Sequence, residues 1–271
     1  MNINKKNAIN FFLKKCPTFT RKDIKTISKI HSGYTNFSYK LTTKNNEIFQ
    51  IRFSKENDLV DRSNEKKVID LVDFRKYFLY LDENGNAIKK WISGDIVKSK
   101  NVDDKFIDLL LQEIDLLHQI KFDNKILKHT YTNILNNQKI SKKYLNMYKK
   151  CLNILNDKKW VLSHNDLNLQ NMIFNKNKLI FIDYEWARIN HPLWDIVNFM
   201  RETKLSESMI ERIISKLNID YLMFNKMSYI CLCFAQDWAL SNKQTLKIII
   251  YRFINFLKLK KSYKFLKKFN A

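Results

Sequence analysis

The spacing of apolar residues changes near Gly94, and this change constrains the fold more than any other feature of the sequence. Before Gly94, short runs rich in apolar residues end at turn-forming residues, a pattern typical of β-strands. After it, long apolar stripes recur at helical spacing. Only three glycines and two prolines occur in 271 residues, so regular elements must dominate. The sequence predicts an α+β fold with a sheet-rich part at residues 1–93 and a larger helical part at 94–271.

Within the first part, residues 1–16 have the pattern of a short amphipathic helix. Three strands are predicted from Ile24 onward, with a turn at Asn45–Asn46, and a helix over 61–74. The segment FLYLDENGNAIKKWI predicts a hairpin. In the second part, helices are predicted over 102–121 and 138–157 and again after Pro192.

The chain carries a formal net charge of +22. Such a positive field attracts anions, including nucleotides, nucleic acid and acidic lipid head groups. The lysines are scattered along the whole sequence, which favours a compositional bias over a binding patch. A non-enzymatic protein that binds nucleic acid or membrane by charge stays open as an alternative, although we do not expect a nucleic-acid partner.

The four cysteines match neither a disulfide framework nor a zinc site, and reduced thiols are expected. They are Cys16, Cys151, Cys231 and Cys233. No signal-peptide pattern and no apolar run of membrane-spanning length is present, so a cytoplasmic location is expected.

One segment interrupts the helical part: WVLSHNDLNLQNMIFNKNKLIFIDYEWA, a polar loop followed by two short apolar runs. In it, Asp166 precedes Asn171 by five residues, and Asp183 ends the second run. Phosphoryl transfer needs a carboxylate to take a proton from the acceptor hydroxyl and oxygen ligands for Mg²⁺. The spacing favours Asp166 as the base and Asn171 and Asp183 as metal ligands, whereas a plain polar loop is the alternative.

These residues resemble the choline kinase branch of the aminoglycoside-phosphotransferase-like kinases, in particular the bacterial choline kinases. The likeness covers most of the chain and is strongest in HNDLNLQNMIF, IDYEWA and NHPLWDIVNFMRE. It implies a protein-kinase-like two-lobed fold with ATP bound between the lobes, ATP and Mg²⁺ as cofactors, and a small-molecule alcohol as substrate.

The resemblance also implies a nucleotide site. SGYTN is similar to the family's phosphate-covering turn, Arg52 and Glu65 match a phosphate-side ion pair, and KKWISGD matches the hinge that contacts adenine. The implied residues are Gly33, Thr35, Asn36, Arg52, Glu65, Trp91 and Ile92. A plain hairpin turn and unrelated surface charges are the alternatives for the first two motifs.

An acceptor site for a quaternary ammonium needs aromatic faces and a carboxylate. The candidates are Trp186, Glu202 and Trp238, where Glu202 is placed by the resemblance. For Trp238, and for Trp194 on the next helix, a place in the packed core is an equal alternative. We predict phosphorylation of choline to phosphocholine, as a step of phospholipid metabolism; ethanolamine, a vitamin alcohol and an aminoglycoside are the alternative acceptors. No oligomeric state is predicted. The basic C-terminal stretch is expected to pack as a terminal helix, and contact with an anionic membrane surface is the alternative.

Overall fold

A computed structural model of the chain describes residues 3–30, 36–55, 60–137, 139–156, 159–175 and 177–269. The chain forms two compact units. The first comprises Met1–Asp95, Phe122–Ile126 and Ile182–Ala187, and the second comprises Ile96–Lys121, Leu127–Phe181 and Arg188–Ala271. The division of function between residues 1–93 and 94–271 stays a proposal.

The first unit is built on an antiparallel sheet of five strands in the order β1-β2-β3-β5-β4. Its elements in chain order are α1 (Lys5–Lys15), β1 (Ile24–Ile30), β2 (Asn36–Thr43), β3 (Ile48–Ser54), α2 (Arg62–Leu71), β4 (Phe78–Leu81) and β5 (Ala87–Lys90). The three predicted strands, the hairpin and both helices are therefore present.

Helix α1 covers one face of this sheet because its apolar side chains meet those of the central strands. Phe12 is fully buried among Tyr39, Leu41 and Phe49. The Tyr39 hydroxyl donates a hydrogen bond of 2.7 Å to the carbonyl oxygen of Ile3, which ties the start of the helical segment to β2. These contacts pack α1 against the sheet that also carries Arg52 on β3 and Lys89 on β5.

Two hairpin turns of the first unit use residues that tolerate left-handed backbone. Asn46 adopts φ 61° between β2 and β3, and Gly85 adopts φ 80° between β4 and β5. A Cβ atom at Gly85 would lie 2.5 Å from Cδ of Arg62. Glycine is therefore required at this turn both by backbone conformation and by the close approach of an arginine.

The second unit is mostly helical and contains the short strands that flank the loop of Asp166. Its elements are α3 (Asp104–His118), α4 (Asn133–Asn137), α5 (Lys142–Cys151), β7 (Val161–Ser163), β8 (Met172–Asn175), β9 (Lys178–Phe181), β10 (Arg188–Asn190), α6 (Trp194–Glu202), α7 (Glu207–Lys216), α8 (Tyr221–Ser241) and α9 (Leu246–Lys268). Strands β8 and β9 form an antiparallel hairpin with the short β6 (Asp95–Ile96) beside β8, and β7 pairs with β10.

One predicted helix differs from the structure. The helix expected over 138–157 occupies only Lys142–Cys151 and then tightens into a 3-10 turn at Leu152–Leu155. Such tightening at a helix end satisfies terminal carbonyl groups that have no partner in the α-helix. Across the described ranges, no helix combines the length and apolar character that crossing a membrane requires.

Candidate active site

The loop after β7 carries the candidate base and is held by a buried carboxylate. Asp195, at the start of α6, is 0% exposed, and its side chain accepts hydrogen bonds from the backbone N–H groups of His164 (3.0 Å) and Asn165 (2.9 Å). Nε2 of His118 lies 3.2 Å from the same carboxylate. The loop geometry therefore depends on a residue thirty positions later in the chain.

The electrostatics of Asp195 fit this anchoring role. Burial acts to raise the pKa of its carboxyl group, but the hydrogen bonds from His118 and from the backbone of Asn165 outweigh burial and lower the pKa. Asp195 is thus ionised wherever the protein is folded near neutral pH. The sequence alone assigned no role to Asp195 or His118. The signal that could have pointed to Asp195 was its place in the segment NHPLWDIVNFMRE.

Asn165 is the second fixed point of the loop. It adopts a left-handed backbone conformation, φ 65°, and its side-chain oxygen accepts hydrogen bonds from Ser163 (2.9 Å) and from the buried Asn190 (2.6 Å). The indole N–H of Trp194 donates to the carbonyl oxygen of Asn165 at 3.2 Å. Trp194 is 4% exposed, so its ring packs in the core while its N–H holds the loop.

Asp166 and Asn171 are brought together at the end of this loop. The Asn171 side-chain amide donates to Oδ2 of Asp166 and to the Asp166 carbonyl oxygen, each at 2.9 Å. The turn Leu169–Asn171, capped by Asn168, creates this contact and leads directly into β8. An oriented carboxylate of this kind is suited to accept a proton, and the amide oxygen of Asn171 is a hard ligand of the type that Mg²⁺ prefers.

Asp183 lies in the first unit, two residues after β9, and adopts a left-handed conformation with φ 68° and ψ 63°. Its side chain is 41% exposed, and Oδ1 lies 4.0 Å from Nη1 of Arg52. Among the described residues, no group of three or more His, Cys, Asp and Glu side chains could hold a metal alone. The Asp183 carboxylate and the Asn171 amide oxygen are donors that fit Mg²⁺, which commonly binds through one or two carboxylates together with water and substrate phosphate.

Arg52 and Glu65 form a buried ion pair, with Nη1 2.6 Å from Oε1. The Arg52 Nε–H also donates to the carbonyl oxygen of Gly85 at 2.9 Å, which fixes the guanidinium plane. Desolvation opposes charge on both side chains, but their mutual attraction prevails, raising the pKa of Arg52 and lowering that of Glu65. The pair is present as an observed contact, and its role toward nucleotide stays a prediction.

Sequence analysis missed a second arginine at this pair. Nη1 of Arg62 lies 2.7 Å from Oε2 of Glu65 and 2.9 Å from Oε2 of Glu185, and its Nη2 donates to Oδ1 of Asn36 at 3.0 Å. The Asn36 amide in turn donates to Glu185 at 3.2 Å. The other predicted turn residues, Gly33 and Thr35, lie outside the described residues.

Lys89 on β5 adds a third cation near the same carboxylates. Burial lowers the pKa of its ammonium group to about 8, and the charge of Arg52 acts in the same direction. We call the six residues that interact here the charged cluster. It consists of Arg52, Arg62, Glu65, Lys89, Asp183 and Glu185.

The predicted adenine-contact residues follow β5 directly. Trp91 is 37% exposed, and its backbone N–H donates to the carbonyl oxygen of Ile48 at 2.8 Å. Nζ of Lys40 lies 4.5 Å from the centre of the Trp91 ring, within cation–π range. Ile92 is buried. Trp91 therefore presents an aromatic surface, whereas Ile92 belongs to the packed interior.

Two of the three acceptor candidates are joined by a residue that sequence analysis did not select. Tyr251 on α9 donates from its hydroxyl to Oε1 of Glu202 at 2.9 Å, and its ring meets Trp238 edge-on with centroids 5.9 Å apart. Arg201 also pairs with Glu202, at 2.7 Å. The third candidate, Trp186, ends the turn Tyr184–Trp186 in the first unit.

Comparison with known proteins supports a family assignment. The Choline/ethanolamine kinase family profile matches residues 27–229, about three quarters of the chain. This chain belongs to the choline/ethanolamine kinase family. Membership makes it a phosphotransferase and confirms the resemblance drawn from HNDLNLQNMIF and its neighbouring motifs.

One protein similar to this choline/ethanolamine kinase family member is the "Uncharacterized protein MG356 homolog" of Mycoplasma pneumoniae. It is 31% identical over 265 residues, 92% of this chain and 90% of the relative. Choline kinase LicA from Streptococcus pneumoniae superposes with a TM-score of 0.76 at 16% identity, covering 94% of this chain and 98% of LicA. A Plasmodium vivax ethanolamine kinase gives 0.75 at 16% identity, covering 96% and 90%. The protein-kinase-like two-lobed fold is thereby confirmed.

Proposed function

We propose that this chain transfers the γ-phosphoryl group of ATP to the hydroxyl of a small amino alcohol, with choline as the preferred acceptor. The observation that carries the proposal is the Asp166 carboxylate, held by the Asn171 amide at 2.9 Å in a loop anchored by Asp195. A base of fixed orientation is what proton removal from an alcohol requires.

In the proposed reaction, Asp166 accepts the proton of the acceptor hydroxyl while that oxygen forms a bond to the γ-phosphorus. The bond between the γ-phosphorus and the bridging oxygen breaks, and ADP leaves with the electron pair. Asn171 and Asp183 would hold Mg²⁺, and the bound ion would neutralise negative charge on the phosphate oxygens. Arg52, fixed by Glu65, would contact the α- and β-phosphates.

Five further residues complete the proposed nucleotide site. The turn from Gly33 through Thr35 to Asn36 would cover the phosphates, and Trp91 would lie against adenine, with Ile92 behind it. The hydrogen bonds of Asn36 to Arg62 and Glu185 support a place for this turn beside the charged cluster. Backbone N–H groups and side-chain amides near a phosphate can bind its oxygens without adding charge to the site.

For the acceptor, we propose that Trp238 and Glu202, linked through Tyr251, together with Trp186, recognise a quaternary ammonium. An ammonium with three methyl groups has no N–H to donate, so aromatic faces and a nearby carboxylate replace hydrogen-bond acceptors. Ethanolamine is the alternative, because an ethanolamine kinase and a choline kinase match this fold equally well. Fold similarity therefore supports the reaction class, and the side chains at the acceptor site favour choline.

The test is a coupled assay of ADP release with ATP and Mg²⁺ and with choline, ethanolamine or an aminoglycoside as acceptor. We expect turnover with choline at the highest kcat/KM. Asp166→Asn should lower kcat by about a hundredfold or more, the usual contribution of a general base. Asp115→Asn, a change of an exposed carboxylate on α3, is the matched control.

Two results would separate the parts of the proposal. Near-normal kcat for Asp166→Asn at saturating ATP would refute its role as base, whatever the acceptor. Turnover with ethanolamine and none with choline would refute the acceptor assignment and leave the phosphotransferase reaction intact.

A further inference from the structure

Helix α9 is apolar on two opposite sides, and only one of them is packed against the protein. Its inner side is held on α8 by the buried Ile248, Asn255 and Leu259, and the Asn255 amide donates to the Leu232 carbonyl oxygen and to Gln236 Oε1, each at 3.0 Å. A surface helix with a packed inner side needs no apolar residues on its outer side. The outer side is nevertheless strongly apolar.

The outer apolar face covers the first three turns of α9. Its members are Leu246 (74% exposed), Ile249 (40%), Ile250 (51%), Phe253 (62%), Ile254 (49%) and Leu257 (50%). Phe256, beside them, packs edge-on against Tyr144 of α5 with ring centroids 5.8 Å apart. Leu246, Ile250, Phe253 and Leu257 recur at the three- and four-residue steps that align side chains along one side of a helix. Isolated exposed leucines are ordinary on protein surfaces, whereas a contiguous apolar stripe of this kind marks an interaction site.

A groove opens on this outer face. It has a volume of about 370 Å³ and is lined by Gln236 of α8 and by Ile249, Ile250, Arg252, Phe253 and Phe256 of α9. Four of these six lining residues are apolar, and Arg252 is the one charged residue among them. Apolar side chains beside an arginine suit a hydrocarbon chain with an anionic head group.

The same side of α9 becomes strongly basic in its last turns. Lys260, Lys261 and Lys264 follow Leu257 at three, four and seven residues, so they continue the outer apolar face toward the helix end. All three lysines are exposed. Between Leu246 and Lys268, the helix contains eight basic residues and no acidic one.

The distribution of charge on α9 distinguishes between two partners that could cover the outer apolar face, a second copy of the chain and an anionic lipid surface. A second copy of the chain packed through α9 would place two strongly basic helices together, and repulsion of like charges would oppose the contact. An anionic lipid surface accepts apolar side chains at its acyl boundary and attracts the lysines to its head groups. Charge complementarity therefore favours the lipid surface.

We propose that α9 binds the surface of a membrane containing anionic lipid, with Ile250, Phe253 and Leu257 inserted and Lys260, Lys261 and Lys264 on the head groups. The helix lies along the surface and does not cross it, because only its first half is apolar. This binding site involves none of the residues assigned to phosphoryl transfer, so it stands independently of the proposed acceptor.

The test is co-sedimentation of the full chain with vesicles of phosphatidylcholine alone or with a third of the lipid replaced by phosphatidylglycerol. Binding is expected to the anionic vesicles only, and it should weaken as salt rises from about 0.01 M to about 1 M, where screening shortens the range of the charges. Equal binding to both vesicle types, or no binding to either, would overturn the proposal.

Two groups of variants separate the apolar from the basic contribution. Ile250→Ser with Phe253→Ser should lower vesicle affinity by about tenfold or more, because both side chains lose their transfer into the acyl boundary. The control is Leu116→Ser with Leu127→Ser, two exposed leucines elsewhere in the second unit. An equal loss in the control pair would contradict the proposal.

Charge reversal tests the lysines. Lys260→Glu, Lys261→Glu and Lys264→Glu together should lower affinity by about a hundredfold or more. The matched control makes the same change at Lys142, Lys149 and Lys150, which are exposed on α5. Similar losses in both triple variants would show a response to net charge and refute a site on α9.

Sedimentation velocity without lipid tests whether a second copy of the chain covers this face. The chain should show no association that depends on the outer apolar face. A concentration-dependent dimer that Ile250→Ser with Phe253→Ser dissociates would identify this face as a subunit interface and overturn the membrane proposal. Thermal melting of every variant should match the parent, because the substituted side chains are exposed.

Discussion

The buried carboxylate of Asp195 accepts a 2.9 Å hydrogen bond from the backbone N–H of Asn165 and so fixes the loop that carries Asp166. A carboxylate can accept from two backbone donors and a histidine ring at once, whereas an amide has a single oxygen acceptor. The conformation of the candidate base thus depends on the charge of a side chain that would not itself touch the substrate.

Asp195→Asn should therefore lower both stability and activity. We expect a loss of about 3 kcal/mol in the free energy of unfolding near neutral pH, as for other broken buried ionic contacts. The folded-state pKa of Asp195 is lowered, so its stabilisation is present above the unfolded pKa of about 3.9 and is lost as pH falls through the folded value. Denaturant melts should show the variant and parent converging below about pH 4; a constant difference down to pH 2 would contradict this.

His129 should make the protein sensitive to mild acid. Its ring packs against Tyr131, Trp194 and Phe234, and burial lowers its pKa from 6.5 to about 3. Between these values the unfolded chain binds one more proton than the folded chain, so stability falls as pH is lowered, by about 1.4 kcal/mol per pH unit. His129→Phe keeps an aromatic ring and should flatten this slope.

The measurement is the free energy of unfolding from pH 8 to pH 4 for the parent and His129→Phe. At pH 8 both rings are uncharged, so the difference there gives the packing change alone and serves as the internal control. Parallel curves across the whole range would show that His129 does not titrate on unfolding.

Arg52→Lys should impair nucleotide binding although it conserves charge. The guanidinium contacts Glu65 and the Gly85 carbonyl oxygen with separate nitrogen atoms, a geometry that a single ammonium group cannot reproduce. We expect KM for ATP to rise by about tenfold and stability to fall by about 1–3 kcal/mol. Arg75→Lys, at an arginine whose side chain is 43% exposed, should change neither quantity; equal effects at both sites would refute the assignment.

The four cysteines should be unreactive in the folded protein. Burial raises the pKa of Cys16, raises that of Cys151 and Cys231 to about 12, and raises that of Cys233 well above its usual value. Because the thiolate is the reactive form, a disulfide reagent at pH 8 should label them only as fast as the chain unfolds. Leu116→Cys supplies an exposed thiol as control, and rapid labelling of any native cysteine would contradict the prediction.

Local patterns predicted most of the elements and singled out several site residues. The helix and strand periodicities predicted α1, the three strands β1 to β3, the β4–β5 hairpin and the two apolar runs that form β8 and β9. The five-residue spacing singled out Asp166 and Asn171, which the structure joins by a hydrogen bond. These features depend on neighbours close in sequence, where backbone geometry limits the possible arrangements.

Contacts between distant segments could not be predicted in this way. Arg62 and Glu185 are 123 residues apart, and nothing in the sequence around either marks the other as its partner. Tyr251 likewise meets Glu202 across 49 residues, because α8 and α9 fold back on α6. Such pairings follow from the packing of whole elements, which periodicity describes only one element at a time.

The charged cluster contains three cations, Arg52, Arg62 and Lys89, and three carboxylates, Glu65, Asp183 and Glu185. With all six groups ionised, the cluster is formally neutral and offers little net attraction to a polyphosphate. If Asp183 holds Mg²⁺ as we propose, each bound ion adds two positive charges and turns this neutral cluster into an anion receptor. Metal and nucleotide are then thermodynamically linked, and each must raise the affinity of the other by the same factor.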